Sequence, residues 1–266
     1  MSESASQRMS ESASERISES ASQRMSHLPS YQQSSTPGSQ LAYTSPRYEI
    51  KIPLPARWLA DVESWVRLHP AQWRVTYPPR QVNNVYFDTA RYAGLNANLS
   101  GVGERDKLRL RWYGTDTARI TAANLERKHK QGMVGWKAMS PAAAVFDLAE
   151  TTWHTLVCDV RAAVLPEARQ WLDVFAIPTL INHYWRAYYA TPDDALRLTV
   201  DTALCTYDQR AAACPNLMRP AYAQAPLVVE LKAFPTDVDY RRLSDALAHF
   251  PAPVDRFSKY VQGMLL

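Results

Sequence analysis

Several segments of this chain alternate a charged residue with an apolar one. In KLRLR, at residues 107–111, the cations Lys107, Arg109 and Arg111 alternate with two leucines. Successive side chains of a β-strand point to opposite faces, so the three cations share one face and the leucines share the other. The two-residue period therefore predicts a strand with one charged face and one apolar face.

The same period recurs in four segments that lie far apart in the sequence. Their polar residues at alternate positions are Glu49 and Lys51; Glu126 and Lys128; Arg197, Thr199 and Asp201; and Glu230 and Lys232. Taken singly, such strands are typical of an antiparallel sheet with one face in water. Five such strands weaken that interpretation, because a face in water usually mixes Thr, Ser, Gln and Lys, whereas arginine, which recurs here, is well shaped for bidentate contacts with phosphate oxygens.

A closed barrel of these strands would gather many cations in its lumen. They are Lys51, Arg109, Arg111, Lys128, Arg197 and Lys232. Like charges at close range repel one another and are costly to desolvate, so such a lumen requires water and a polyanion. The accompanying carboxylates either neutralise the cations or hold a divalent metal through oxygen ligands.

The N-terminal region has a different composition. Residues 2–25 are three near-copies of one octet, and Ser, Gln, Pro and Gly continue to residue 46. Such a sequence buries too little apolar surface to offset the entropy lost on ordering. We expect residues 1–46 to be a disordered, low-complexity, serine-rich tail, with a tether or interaction tail as the alternative, and residues 47–266 to form the folded domain.

Three segments of this domain read as helices, so the predicted fold class is α+β. They are residues 56–68, residues 141–165, as one or two helices with Pro141 in the first turn, and residues 240–249.

Composition and motifs argue against several other classes of protein. The three cysteines lack the spacing of a zinc site, and no P-loop or dinucleotide-binding motif occurs. No apolar run approaches the roughly 20 residues of a membrane span, and no secretory signal is present, so we expect a cytoplasmic protein. The cations alternate within strands and do not cluster along a helix, so we expect no nucleic-acid partner. Most tryptophans and tyrosines fall on apolar faces, which indicates packing rather than base stacking.

Six segments, in this order, form a recognisable set. They are YFDT (residues 86–89), KLRLRWYG (107–114), LERKHK (125–130), LRLTVDT (196–202), VVELK (228–232) and SKYVQGM (258–264). The set resembles the vacuolar transporter chaperone (VTC) domain, the polyphosphate polymerase branch of the triphosphate tunnel metalloenzymes, over residues 47–266. The resemblance implies an eight-stranded antiparallel β tunnel barrel with flanking helices, which binds a triphosphate-like chain along its axis.

The resemblance also implies site residues, each carried over on its motif. The catalytic basic residues would be Lys51, Arg109, Arg111, Lys128, Arg197 and Lys259. Further substrate-binding residues would be Arg105, Glu126, Lys137, Arg186, Lys232 and Ser258. Glu230 matches the glutamate that binds Mn²⁺ or Mg²⁺, and Glu126 is a possible second ligand.

The activity implied is transfer of the terminal phosphate of ATP to a growing polyphosphate chain. Two alternatives stay open: a metal-dependent inorganic or nucleotide triphosphatase, and a non-catalytic polyphosphate-binding module. The related CYTH branch opens with ExExK, whereas this chain has RYEIK with Arg47 at the first glutamate. That difference argues against a thiamine triphosphatase or a class IV adenylate cyclase. Without a flanking SPX-type domain or membrane helices, we expect a stand-alone enzyme.

Overall fold

The computed structural model describes residues 40–222, 227–248 and 250–266. In that part of the chain the strands are β1 (Ala42–Tyr43), β2 (Arg47–Leu54), β3 (Arg74–Asp88), β4 (Glu104–Tyr113), β5 (Arg119–Ile120), β6 (Ala123–Gln131), β7 (Val134–Ala142), β8 (Phe146–Asp147), β9 (Ile177–Ala190), β10 (Leu196–Asp208), β11 (Ala221–Tyr222) and β12 (Leu227–Ala233). The helices are α1 (Leu59–Leu68), which follows a 3-10 turn at Ala56–Trp58, α2 (Ala93–Leu99), α3 (Trp153–Ala163), α4 (Pro166–Val174), α5 (Asp237–Leu247) and α6 (Lys259–Leu265).

Eight of the described strands close into a ring. The order around the ring is β2, β12, β10, β9, β3, β4, β6 and β7, and β7 pairs back with β2. Every neighbouring pair is antiparallel. The prediction of an α+β fold built on an eight-stranded antiparallel β tunnel barrel with flanking helices is confirmed.

The apolar faces of the ring strands point outward, onto the helices. Leu108, Leu110 and Trp112 of β4 are buried in a cluster with residues of α3 and α4. On the other side of the ring, residues of β2, β10 and β12 are buried against α1 and α5. Because two helix pairs cover the outer surface, the hydrophobic core lies outside the ring and the polar faces are left for the lumen.

Helix α1 bears out the prediction for residues 56–68. Val62 and Val66 of this helix are buried, and both belong to the cluster that packs on β2 and β12. The third predicted helix corresponds to α5, which begins earlier because Thr236 caps it: its side chain accepts a hydrogen bond from the Asp239 amide. Residue 249, the end of the predicted segment, lies outside the described residues.

The helix predicted to start at Pro141 is wrong in its first half. Pro141 belongs to β7, opposite Asn124 of β6, and the first helix of this region begins only at Trp153. Thr152 caps that helix by accepting a hydrogen bond from the Thr155 amide. Pro166 then begins α4, so the region does contain two helices, but they start about twelve residues later than predicted.

Part of the predicted tail belongs to the folded sheet. Ala42 and Tyr43 form β1, which pairs with Met139 and Ala138 of β7, and the Thr44 hydroxyl accepts a hydrogen bond from the Lys137 amide. Residues 1–39 lie outside the described residues. The longest described helices have 11 residues, and none of the helices in the described ranges has the length and hydropathy required to span a membrane.

Candidate functional site

A cavity of about 650 Å³ lies inside the ring and is lined by residues of all eight ring strands. Among the described residues, the lining includes eleven lysine and arginine side chains: Arg47, Lys51, Lys107, Arg109, Arg111, Lys128, Lys137, Arg186, Arg197, Lys232 and Lys259. The carboxylates that line it are Glu49, Asp194 and Glu230. Cations therefore far outnumber anions, and the lumen is strongly electropositive.

The structure brings most of the predicted site residues into this one cavity. Those that line it are Lys51, Arg109, Arg111, Lys128, Lys137, Arg186, Arg197, Glu230, Lys232, Ser258 and Lys259. Glu126 does not line the cavity but lies directly behind it. Arg105 does not line it either: its guanidinium donates to Asn98 Oδ1 at 3.2 Å and to the Val102 carbonyl at 2.6 Å. Arg105 therefore stabilises the segment between α2 and β4 rather than the lumen.

Asp201 organises one side of the tunnel. Its carboxylate accepts from Arg186 Nε at 2.5 Å, from Arg186 Nη2 at 2.7 Å, and from Lys259 Nζ at 2.5 Å. We call Asp201, Arg186 and Lys259 the Asp201 triad. Burial raises the pKa of Asp201, but the two cations outweigh this effect and hold it well below its usual range. The carboxylate therefore stays ionised and fixes both cations in place.

Glu126 has the same role on the opposite side. Its Oε2 accepts from Arg109 Nε at 2.8 Å and from Arg109 Nη2 at 2.6 Å, while Oε1 accepts from Lys137 Nζ at 2.6 Å. Arg111 lies farther away, 3.7 Å from Glu126, and donates instead to Asn84 Oδ1 and to the Tyr184 hydroxyl. Because Glu126 does not line the cavity, it does not fit the role of second metal ligand.

Strands β2 and β12 place Glu49 and Glu230 side by side. Lys51 Nζ lies 2.5 Å from Glu49 and 3.7 Å from Glu230, Lys128 also binds Glu49, and Lys232 lies 3.0 Å from Glu230. Burial raises the pKa of Glu49, but the ammonium groups of Lys128 and Lys51 outweigh this and hold it well below its usual range. The pKa of Glu230 is lowered as well, so both carboxylates are ionised.

Lys107 and Lys128 lack this degree of compensation. Lys107 Nζ donates to Ser258 Oγ at 2.8 Å and forms no ion pair in the described part of the chain. Burial, together with the charges of Lys128 and Lys51, holds the pKa of Lys107 well below its usual range. Burial also lowers the pKa of Lys128 to about 7, although Glu49 opposes the shift. We call these two residues the Lys107 pair; an added anion would raise the pKa of both.

The residues present fit a divalent cation of the kind predicted from the sequence. Thr199 lies opposite Glu230 in the sheet, and its Oγ1 is buried with no hydrogen-bond partner among the described residues. Carboxylate and hydroxyl oxygens suit Mg²⁺ and Mn²⁺. No group of three or more His, Cys, Asp or Glu side chains in the described ranges could hold the ion without help. Glu230, Glu49 and Thr199 would therefore share it with substrate oxygens, as Mg²⁺ sites commonly do.

Sequence reasoning missed several residues of this cavity. Lys107 and Glu49 were not among the assigned site residues, although the two-residue period had placed both on charged strand faces. Tyr86, Tyr184 and Tyr188 also line the lumen, and no charge pattern marks them. His129, by contrast, lies on the outer face of β6, 3.0 Å from Asp106.

Comparison with known families agrees with this geometry. The model of the VTC domain matches residues 9–266, nearly the whole chain. The chain belongs to the VTC-domain family. Its tunnel is therefore the tunnel of a VTC domain, and the resemblance stated from the sequence is confirmed. No curated protein sequence matches this VTC domain at a significant level.

Solved structures with a similar fold include two candidate cyclases. One is the candidate adenylyl cyclase HpAC1 from Hippeastrum, which is described as having a dominant triphosphatase activity. HpAC1 is 15% identical to this chain, with a TM-score of 0.44, and the match covers 82% of this chain and 93% of HpAC1. The other is a candidate adenylate cyclase from Vibrio parahaemolyticus, 10% identical, with a TM-score of 0.42, over 79% and 94% of the two chains.

Proposed function

We propose that this VTC domain is a metal-dependent polyphosphate polymerase that transfers the terminal phosphate of ATP to a polyphosphate chain held in the tunnel. The observation that carries the proposal is the set of eleven cationic side chains that line one cavity, ten from the inner faces of the closed ring and Lys259 from α6. So many like charges at close range favour binding of a polyanion, and a cavity enclosed by eight strands suits a linear one. Membership of the VTC family supports the choice of polymerase.

Phosphoryl transfer depends mainly on positioning and on charge stabilisation. In the proposed reaction, an oxygen of the terminal phosphate of the chain attacks the γ-phosphorus of ATP. The bond between the γ-phosphorus and the oxygen bridging to the β-phosphate breaks, and ADP leaves with that oxygen. A divalent ion held by Glu230 and Glu49 would neutralise charge on the phosphate oxygens.

The protein's own side chains hold the reacting groups. Arg109 and Arg111 are fixed by Glu126 and Asn84, so their free N–H groups are oriented before substrate binds. Arg186 and Lys259 are fixed in the same way by Asp201. Because these cations are already in place, little reorganisation is required as charge develops in the transition state. Arg197, which forms no ion pair within the described residues, is free to bind substrate.

The test is an assay of the Arg111→Ala and Glu230→Ala variants. Purified protein is incubated with ATP and Mn²⁺ or Mg²⁺, polyphosphate is stained on a gel, and released phosphate is measured. We expect polymer from the wild type and a rate at least about a hundredfold lower in both variants, as when a transition-state donor is removed. Circular dichroism checks that the variants are folded.

Arg127→Ala is the matched control. Arg127 lies on β6 next to Lys128 but does not line the tunnel; it pairs with Asp106 on the outer face. We expect its activity to equal that of the wild type. Wild-type rates in both tunnel variants would overturn the proposed site. Free phosphate without polymer would favour a triphosphatase, and neither product would favour a binding module.

A further inference from the structure

The two ends of the tunnel are built differently. At one end α6 packs across the lumen: Tyr260 stacks on Tyr86 with ring centroids 5.2 Å apart, and its hydroxyl donates to Asp88 at 2.6 Å. Lys107 reaches Ser258, the cap of that helix. This end is therefore closed by side chains that are bonded to one another. At the opposite ends of β3 and β4 lie Tyr77 and Tyr113, and both side chains are exposed.

Three tyrosines surround an arginine at this second end. The guanidinium carbon of Arg80 lies 4.1 Å from the ring centroid of Tyr113, 5.0 Å from that of Tyr188 and 5.5 Å from that of Tyr77. Arg80 Nε also donates to the Tyr188 hydroxyl at 3.2 Å, and Tyr77 and Tyr188 meet edge to face. We call these four residues the tyrosine cluster.

Core packing does not explain the tyrosine cluster. Tyr77 is 57% exposed and Tyr113 is 43% exposed, although the sequence pattern favoured packing roles for the aromatic residues. Both rings nevertheless line the tunnel cavity. Two aromatic rings are thus held by a guanidinium at the mouth of a basic cavity, with much of their surface open to solvent. Surfaces of this kind are typical of ligand sites, because exposed apolar area is unfavourable in water and is stabilised when a ligand covers it.

The tyrosine cluster is continuous with the phosphate-binding residues. Tyr188 is shared by both: the Arg186 guanidinium of the Asp201 triad lies 6.0 Å from its ring. If the planar group of a ligand lies at the mouth, the rest of that ligand can therefore extend into the tunnel and contact its cations. A nucleoside triphosphate has this shape, since its base is planar and its phosphates form one chain.

We propose that the tyrosine cluster binds the base of the nucleoside triphosphate whose phosphates lie in the tunnel; this inference rests on the proposed function. Bases stack on tyrosine rings whatever their identity, because every base has a π-face. The tyrosine cluster therefore favours nucleotides over inorganic triphosphate and discriminates little between bases. The base remains at the open mouth while the phosphates extend toward α6.

The inference is tested by calorimetric titration of the folded protein with ATP and with inorganic tripolyphosphate. We expect the double variant Tyr77→Ala/Tyr113→Ala to bind ATP about tenfold more weakly, a typical loss when a stacking ring is removed. Its affinity for tripolyphosphate, which has no base, stays within about twofold of the wild type. The variant Tyr77→Phe/Tyr113→Phe keeps both rings and binds ATP as the wild type does.

Tyr222→Ala is the control for an exposed tyrosine away from the cavity, since Tyr222 is 72% exposed and does not line the tunnel. It should change neither affinity. Equal losses for both ligands in the alanine double variant, or no loss for ATP, would overturn the base site. The readout of this test is binding, so it does not depend on the polymerase assay. If the wild type makes no polymer but the alanine double variant loses affinity for ATP alone, the base site is still supported. Wild-type protein that binds neither ligand would refute both proposals.

Discussion

The Asp201 triad and the Lys107 pair hold positive charge in the same tunnel by different means. In the triad, a buried carboxylate bonds to both cations at 2.5 Å and holds them in fixed positions. In the Lys107 pair, burial acts against charge, and the pKa of Lys128 falls to about 7. Asp201 raises the pKa of Arg186 well above its usual range despite burial, whereas the carboxylates near Lys128 do not offset the effect of burial on that lysine. The Asp201 triad is thus a fixed framework, and the charge of the Lys107 pair depends on the ligand.

Removing the central carboxylate of the Asp201 triad should have the largest effect on stability. Asp201→Asn leaves Lys259 buried without a charged partner among the described residues and leaves Arg186 with only the longer contact to Glu230, at 3.4 Å. Such a change typically lowers the free energy of unfolding by about 3–5 kcal/mol. Urea denaturation at neutral pH would measure this loss. Asp193→Asn is the control: its ion pair with Arg242 is largely exposed, so this change should lower the free energy of unfolding far less than Asp201→Asn does. Similar losses in the two variants would contradict the assignment of the triad as a framework.

The pH dependence of binding should reveal the Lys107 pair. A bound polyanion raises the pKa of Lys128 above its free value of about 7, so binding is strongest below that pH and weakens as pH rises. We expect tripolyphosphate affinity to fall by about tenfold or more between pH 7 and pH 9. Calorimetry in buffers of different ionisation enthalpy should show proton uptake on binding at pH 8.

The matched variant for this experiment is Lys128→Arg. A guanidinium remains protonated throughout this pH range, so the variant should show a flatter profile and take up fewer protons. Lys137, whose pKa burial lowers to about 8 despite its bond to Glu126, accounts for the slope that remains. A profile unchanged by the substitution would show that Lys128 does not titrate on binding.

The smallest effect expected is a gain in stability. Lys107 forms no ion pair in the described residues, and its folded-state pKa lies well below the unfolded value. A base with a lowered folded-state pKa destabilises the fold at neutral pH, and this penalty disappears as pH rises toward the unfolded pKa. We therefore expect Lys107→Met to stabilise the ligand-free protein by about 1 kcal/mol at pH 7, and less at pH 10. Thermal unfolding measures the gain, and a lower Tm would contradict it.

The charged strands were predictable because their period is local. Lys107, Arg109 and Arg111 show which face they share without any knowledge of the fold. Which carboxylate meets which cation was not predictable, since Asp201 and Arg186 meet only through the register of β10 and β9. The division between fixed and ligand-dependent charge therefore required the structure.

In the region after Pro141, by contrast, the local sequence predicted the wrong secondary structure. The run AAAV at residues 142–145 favours a helix in isolation, but β6 and β7 form a hairpin whose register extends to Ala142. Pairing and burial of Ala142 outweigh the small helix propensity of these residues. The residue that marks the true start, Thr152, is an ordinary N-cap and was a usable signal. Arg105 was carried over on its position before the RLRWYG motif, and a motif position does not show that its guanidinium bonds to Asn98 and Val102 outside the lumen.

The closure of the ring has a consequence for how the chain folds. Strand β2 pairs with β7 through only two register positions, Arg47 with Gly135 and Tyr48 with Val134, and with β12 through seven. Its main partner, β12, lies about 180 residues later in the sequence. Most of β2 therefore remains unpaired until β12 is available. Contacts this distant in sequence slow folding, and we expect formation of the β2–β12 ladder to limit the refolding rate. The charges of Glu49 and Lys51 would meanwhile discourage the waiting edge from aggregating with other chains.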